Sequence, residues 1–356
     1  SAEPGARQPI AIRHHLHHWW KTRRHSNSVE ARSIVGGQRN RPTMRMMTKI
    51  STARAAFLAA LLAATATITS CGGDHASGSE RPEVLRFSVI PDWNKGKLAR
   101  DAKALATLLS DKLGVEVRYA PSNDYTACVN GLTANKLDFV WLGGKTTCDA
   151  IDAGQGAVHV LATRDIDLHF KSYFIGNQKA IAAGKLAATT DLSTWRGSTA
   201  DLRFTFGDVN STSGHLMPRH FLSQAGIDPD NDSKSAAGYA QGGHSGTLKS
   251  VAAGSVDLGA LNFAYYDKAP AEEKAKAPIL FTTPDYVDYA WVVHDRVGAE
   301  RIAQLKSALR GLDEGKPEEA AILNSWSAGA FLAAEDDSWA AIRQVRDSLP
   351  KGFLSK

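Results

Sequence analysis

The sequence predicts an α/β protein built as two similar lobes. Three observations predict it. From Val84 onward, strand-like and helix-like stretches alternate. The alternation starts afresh after residue 190. One helix-turn-strand unit is also written twice, as ANKLDFVWLG at 134–143 and as AGSVDLGALN at 253–262.

The elements follow in order. LRFSVI at 85–90 reads as a strand. The stretch 97–113 reads as an amphipathic helix, with Leu98, Leu105, Leu108, Leu109 and Leu113 on one face and Gly114 as its stop. A strand at 115–119, a helix at 124–134, a strand at 137–142, a helix at 146–153 and strands at 158–163 and 173–176 complete the first run. The second run has a strand at 203–207, a helix at 216–225 closed by Gly226, a helix at 245–253 and a strand at 256–262. A short strand at 280–283 follows. Residues 299–349 read as helices, with Ile302, Leu305, Leu309 and Leu312 on one stripe, packed back on the first lobe. Such alternation implies a mostly parallel sheet in each lobe. Ligands of open α/β sheets lie beyond the carboxyl ends of the strands, which puts Gly143, Gly144 and Asn262 at candidate site edges.

Upstream of this body the chain differs in kind. Residues 1–70 carry 11 of the 42 Lys+Arg and only 2 of the 37 Asp+Glu, leaving 31 basic and 35 acidic residues, a net charge of −4, for 71–356. The body has no basic stripe, which argues against a nucleic-acid partner. Residues 44–70 combine a basic start, a short apolar run (AAFLAALLAATAT) and small residues before Cys71, the order expected of a secretory signal. ITSC followed by GGD resembles a bacterial lipobox, in which Cys71 takes the lipid and anchors the chain to the membrane. Residues 71–83 then read as a tether. The stretch 1–43 fits no folding pattern and reads as an over-extended translation start. The alternative is a basic tail in which His14, His15, His17 and His18 bind metal weakly. With Cys71 lipidated, Cys128 and Cys148 form an even pair in an oxidising compartment, available for a disulfide or buried as two small hydrophobes.

One stretch carries the chemistry. GDVNSTSGHLMPRHFL places Ser211, Thr212, Ser213 and Gly214 between a strand and a helix with Pro218 in its first turn. A single hydroxyl suffices for a cap. Three in a row at a helix N-terminus suit an anion, because the free N–H groups and the dipole favour negative charge and the hydroxyls add donors without charge. A second glycine-rich turn, Gly242-Gly243-His244-Ser245-Gly246, offers more amides and an imidazole. It falls short of the G-x-S-x-G elbow. The sequence has no metal motif, Walker loop or dinucleotide fingerprint, and no activated nucleophile.

FGDVNSTSGHLMPRHFL, together with LRFSVIPD, NDYTACVNGL, LDFVWLGG, GSVDLGALN and TTPDYVDYAW, resembles the phosphonate/phosphite-type periplasmic binding proteins of ABC importers. It is most similar to the branch labelled selenate-binding proteins. The resemblance covers about 84–350 and implies a type II periplasmic binding protein fold: two α/β lobes joined by a hinge, with the ligand cleft between them. It implies lobes at 84–172 and 173–287, and a return through 288–356. It also implies that Ser211, Thr212 and Ser213 hold an oxyanion, with Tyr125, His244 and Asp288 around it. Asp285, three residues from Asp288, is the rival carboxylate. Thr146 and Thr147 stand where some relatives place an aromatic. On this reading the chain is a monomeric transport module for a small oxyanion, partnered by an ABC permease and ATPase, with no cofactor and no catalytic residue. A sensory binding protein, or a hydrolase or transferase of phospho-compounds on the same fold, are the alternatives.

Overall fold

A computed structural model describes residues 84–349 apart from positions 93 and 236. The signal segment, the tether, Cys71 and residues 1–43 lie outside the described residues.

The first run of the chain forms β1 (Val84–Val89), α1 (Lys95–Leu113), β2 (Glu116–Tyr119), α2 (Tyr125–Thr133), β3 (Phe139–Leu142), α3 (Gly144–Gly154) and β4 (Val158–Arg164). After a 3-10 turn at Asp165–His169, the second run forms β5 (Ser172–Gly176), α4 (Gln178–Ala182) and β6 (Phe204–Phe206). A π-turn at Thr212–Leu216 leads into α5 (Met217–Gln224). Next come β7 (Gly238–Tyr239), α6 (Gly243–Ala253), β8 (Leu258–Asn262), α7 (Phe263–Asp267), α8 (Ala271–Lys276) and β9 (Ile279–Thr282). The chain then returns through β10 (Ala290–His294), α9 (Ala299–Arg310), α10 (Pro317–Ser325), β11 (Phe331–Leu332) and α11 (Ala340–Ser348).

Two sheets result, one per lobe. The first has the order β11-β4-β10-β3-β1-β2, the second β7-β6-β8-β5-β9. Most strands of each sheet run one way, as the alternation predicts, but both sheets are mixed: β10 and β11 oppose the other four in the first, and β5 opposes the other four in the second. β10 runs antiparallel to both β3 and β4, and β5 antiparallel to both β8 and β9. The physical reason is the double crossing. β5 and β10 are the strands that enter each sheet from the other lobe, and each arrives against the local direction. The crossings are tied together, since Phe170 and Tyr286 exchange backbone hydrogen bonds of 2.9 and 2.8 Å.

The repeated unit is physical. Asp138 accepts the Arg86 amide at 2.7 Å, and Asp257 accepts the Arg203 amide at 2.9 Å. Each acid pins the entry of the neighbouring strand. The preceding turns use Asn135 (φ 61°) and Gly254 (φ 76°), both left-handed. Gly143 and Asn262, at the ends of the two copies, are the N-caps of α3 and α7.

The first lobe packs one large core around both faces of its sheet, including Trp141, Trp291 and Trp326, whose rings lie 5.1–5.4 Å apart. The second lobe has separate clusters on its two faces, one around Phe174 and Phe206 and one around Ile175 and Leu248. α9 and α10 pack on α1, and α11 packs on α3. At the crossing, the buried Arg164 makes a two-pronged pair with Asp167 (2.7 and 2.8 Å) and lies over the Tyr289 ring at 4.9 Å.

Candidate functional site

The STSG stretch sits at the carboxyl end of β6, at the head of a helix that runs unbroken from the π-turn into α5. Ser211 is its N-cap, and its hydroxyl accepts the Gly214 amide at 2.9 Å. The first amides of a helix have no intrahelical acceptor. The π-turn is a form common at functional sites. Gly214 is tightly placed: a Cβ there would lie 2.9 Å from Ser211 Oγ and 3.3 Å from His244 Cε1. The imidazole edge therefore faces the turn. Ser213 is fixed through its carbonyl, which accepts the Ser172 hydroxyl at 2.7 Å, while its own hydroxyl is buried without a partner.

The opposite wall comes from the first lobe. Gly143 and Gly144 start α3, and two of its leading amides are already taken. Gly144 N–H donates to Asp288 Oδ1 at 2.8 Å, and Lys145 N–H donates to Thr212 Oγ1 at 2.9 Å. A Cβ at Gly143 would meet Thr212 Oγ1 at 3.2 Å and Asp288 Oδ1 at 3.4 Å. Glycine is what lets the two lobes come this close. Lys145 also reaches across, its ammonium bonding Asn210 Oδ1 at 2.9 Å and Asp149 at 2.8 Å. Asn210 in turn donates to Thr126 at 3.3 Å.

Asp288 is fully buried, whereas Asp285 is half-exposed and pairs with His169 and Lys171. Only Asp288 stands with the STSG turn. Burial raises its pKa to about 7, the Gly144 amide opposes this, and the charge of the neighbouring Asp167 adds to it. Its second oxygen, Oδ2, is buried without a partner. Tyr125, the first residue of α2, is also buried with an unpartnered hydroxyl. Burial, then the charge of Asp92, lifts that phenol well above its ordinary range. Thr147 Oγ1 is likewise buried without a partner, while Thr146 donates to the Gly143 carbonyl.

His244 is buried at the head of α6, and burial lowers its pKa to about 3, so the ring is neutral. Its Nδ1 accepts the Asn262 amide at 3.4 Å, and its Nε2 lies 3.4 Å from the Tyr289 hydroxyl. Tyr289 donates to Asp92 Oδ2 at 2.6 Å and accepts from Asn262 Nδ2 at 3.2 Å. Burial raises the Asp92 pKa to about 6, against the Tyr289 hydrogen bond and the Arg164 charge.

The structure thus brings Ser211, Thr212, Ser213, Gly214, Gly143, Gly144, His244 and Asp288 into one neighbourhood. Tyr125 joins it through the nearby charges of Asp92, Asp208 and Asp288, each of which raises its phenol further. Sequence reasoning missed Asp92, Tyr289 and Ser172. Asp92 stood in view, directly past the end of β1, where the strand-end rule applies. Its partner lies 197 positions away, and no local pattern announces that. Of the two readings open for Cys128 and Cys148, the possible disulfide is not formed: both thiols are free and buried. They face different neighbours, Ser88 Oγ at 3.8 Å and the Trp339 carbonyl at 3.7 Å. Burial pushes them to about 11 and about 12, so neither is poised as a nucleophile.

A family model described as the periplasmic phosphonate substrate-binding protein of ABC transporters matches residues 87–339. The probable ABC transporter phosphite binding protein PhnD1 of Prochlorococcus marinus (strain MIT 9301) is 35% identical over 277 residues, covering 76% of this chain and 91% of its own length. The phosphonates-binding periplasmic protein of Escherichia coli is 26% identical over 281 residues, covering 76% and 78%. The solved structure of PhnD1 with methylphosphonate matches with a TM-score of 0.70 at 34% identity, over 74% of this chain and 97% of that one. A binding-protein component of a phosphonate transporter from Pseudomonas aeruginosa shares the fold, with a TM-score of 0.64 at 20% identity over 74% and 85%. With the two crossed lobes and the STSG turn between them, these matches establish the conclusion: the chain belongs to the family of periplasmic substrate-binding proteins of phosphonate ABC transporters, and has its type II fold.

Proposed function

We propose that the chain is a lipid-anchored extracytoplasmic binding protein that closes on a small oxyanion of the phosphite or methylphosphonate class and hands it to an ABC permease. Residues 84–172 and 173–287 act as the two lobes, with the return through 288–356 completing the first. The anion lies at the head of the STSG helix, held by Ser211, Thr212, Ser213 and Gly214, with Tyr125, His244 and Asp288 around it and Gly143 and Gly144 behind. Cys71 carries the lipid.

One observation carries the reading. Ser213 Oγ, Tyr125 OH and Asp288 Oδ2 are all buried and all unpartnered. Buried polar groups are rarely left so, because each costs about 1–3 kcal/mol. Two are hydroxyl donors that suit anionic oxygen. The third is a carboxyl oxygen, which repels a full dianion but accepts a hydrogen bond from a ligand that keeps an O–H. Hydrogen phosphite, phosphonates and hydrogen selenite keep that proton near neutral pH; sulfate and selenate do not. The relatives named for phosphite and solved with methylphosphonate point the same way.

Calorimetric titration of the full chain tests the ligand class. Phosphite and methylphosphonate should bind, selenite less tightly, and sulfate and selenate not at all. Tight selenate binding with no response to phosphite, methylphosphonate or selenite would sink it. Mass analysis of the mature chain tests the anchor: it should begin at a diacylglyceryl-modified Cys71.

A further inference from the structure

We propose that Arg219 is a positioning residue: through His215 it holds the Val209–Asn210 peptide, and so sets the reach of Asn210 toward the other lobe. The step it governs is release of the bound anion, and to that extent the inference rests on the oxyanion reading above.

Neither Arg219 nor His215 belongs to the set around the anion. Arg219 lies on α5 and His215 in the π-turn before it, and both side chains are buried in the second lobe. A buried charge is costly, and an apolar side chain often fills such a place at less cost. Here the charge is offset. The guanidinium grips both oxygens of Asp230 at 3.0 and 3.4 Å and lies over the Phe206 ring at 4.6 Å. What arginine supplies beyond packing is a donor that never accepts.

That donor is aimed at one nitrogen. Arg219 Nε–H points at His215 Nε2 over 2.9 Å, so Nε2 must be bare. The Tyr239 hydroxyl lies farther from the same nitrogen, at 3.4 Å. Burial lowers the pKa of the ring to about 3, so it carries a single proton, and that proton sits on Nδ1. Nδ1 lies 2.7 Å from the Val209 carbonyl, which can only accept. The one proton is thus spent on the shortest contact of the ring. The other tautomer would set a lone pair against the carbonyl oxygen and an N–H against the arginine N–H.

The Val209 carbonyl is one side of the peptide that enters Asn210. The other side, the Asn210 amide, donates to Asp208 Oδ1 at 2.8 Å. The peptide plane is therefore held from both sides. The Ser211 amide on the Asp208 carbonyl and the Gly207 amide on the Gly214 carbonyl, both at 2.9 Å, close the loop around it. From this base the Asn210 side chain meets Lys145 at 2.9 Å and Thr126 at 3.3 Å, both of the first lobe. A continuous line of bonds runs from Asp230, in the second lobe, to the edge of the first.

The test is imidazole nitrogen NMR and stopped-flow phosphite binding on the full chain, with Arg219→Met and His215→Phe. In the parent protein His215 should be a pure Nδ1–H tautomer. Arg219→Met should mix the tautomers, move the Asn210 side-chain amide resonance and speed phosphite release about tenfold, as loss of a contact between the lobes would. His215→Phe keeps a ring without an N–H and should speed release as much. In an Asn210→Ala background neither change should add anything, since all act through one latch. Thermal melts establish that each variant is folded. If Arg219→Met does not fold, His215→Phe carries the same comparison. An Nε2–H tautomer in the parent, an Asn210 amide unmoved in the folded variants, or losses that add to that of Asn210→Ala would overturn the proposal. If the parent binds neither phosphite nor methylphosphonate, the ligand class is wrong, and the tautomer and the Asn210 amide of the ligand-free protein still decide the role of Arg219.

Discussion

Asp288 is the residue whose environment says most. Its folded pKa of about 7 stands above the ordinary 3.8. Between those values the folded state holds a proton that the unfolded state has lost. Stability from this group therefore falls as pH rises from about 4 to about 7. Asp92, raised to about 6, acts in the same direction. His244 and His215, both lowered to about 3, act oppositely: they stay neutral when folded, so their contribution rises with pH up to the usual histidine value. The raw profile mixes these, and a difference isolates Asp288. Melts of the ligand-free parent and of Asp288→Asn at pH 5 and pH 8 should show the variant gaining relative stability at the higher pH. Equal differences at the two pH values would contradict the shift. A second residue-scale prediction concerns Gly143, whose φ of −76° admits alanine without backbone strain. A methyl there would lie between Thr212 and Asp288. Gly143→Ala should stay folded and lose on the order of 100-fold in phosphite affinity, about 2.7 kcal/mol.

At the scale of the element, the head of the STSG helix separates two jobs that the sequence shows as one run of hydroxyls. Ser211 caps: its oxygen holds the Gly214 amide. Ser213 does not, because its buried hydroxyl has no hydrogen-bond partner. Ser211→Ala should cost about 1 kcal/mol of stability in the ligand-free protein, by denaturant unfolding. Ser213→Ala should leave that stability unchanged and still weaken phosphite binding. The opposite pattern would reverse the roles. The run itself was legible in the sequence, as was the repeated unit with Asp138 and Asp257. Their signals are local: a strand, a turn and a helix head within a dozen residues. β10 was not legible. YAWVVH at 289–294 carries apolar residues on both faces because the strand lies mid-sheet, between β3 and β4, and such a run has no alternation to read. Its antiparallel direction depends on the route of the whole chain.

For the whole molecule, the contacts between lobes are direct and polar. Lys145 to Asn210 and Asn210 to Thr126 form a small latch beside the site. On the proposed function, open and closed states differ by few contacts, and an anion that touches both walls biases the balance by its own differential affinity. Asn210→Ala should raise the phosphite off-rate by about tenfold with little change in on-rate, since most affinity differences reside in dissociation. Stopped-flow binding reads both rates, and a slowed on-rate instead would assign Asn210 to capture. Such pairings, 65 and 84 positions apart, were not readable from sequence, where each partner looks like an ordinary surface residue.

The paired crossings have a mechanical consequence. Because Phe170 and Tyr286 share two backbone bonds, the connectors between the lobes form a narrow ribbon. A ribbon twists and bends readily but resists sliding of one edge past the other. Next to it, Ser172 touches both the Tyr286 hydroxyl at 2.6 Å and the carbonyl of Ser213 at 2.7 Å. Torsion in the ribbon is therefore delivered to the turn proposed to hold the anion, and a pull on that turn is returned to the ribbon. On the proposed function, grip and swing become one coordinate, so the ligand is clasped by the same stroke that shuts the protein.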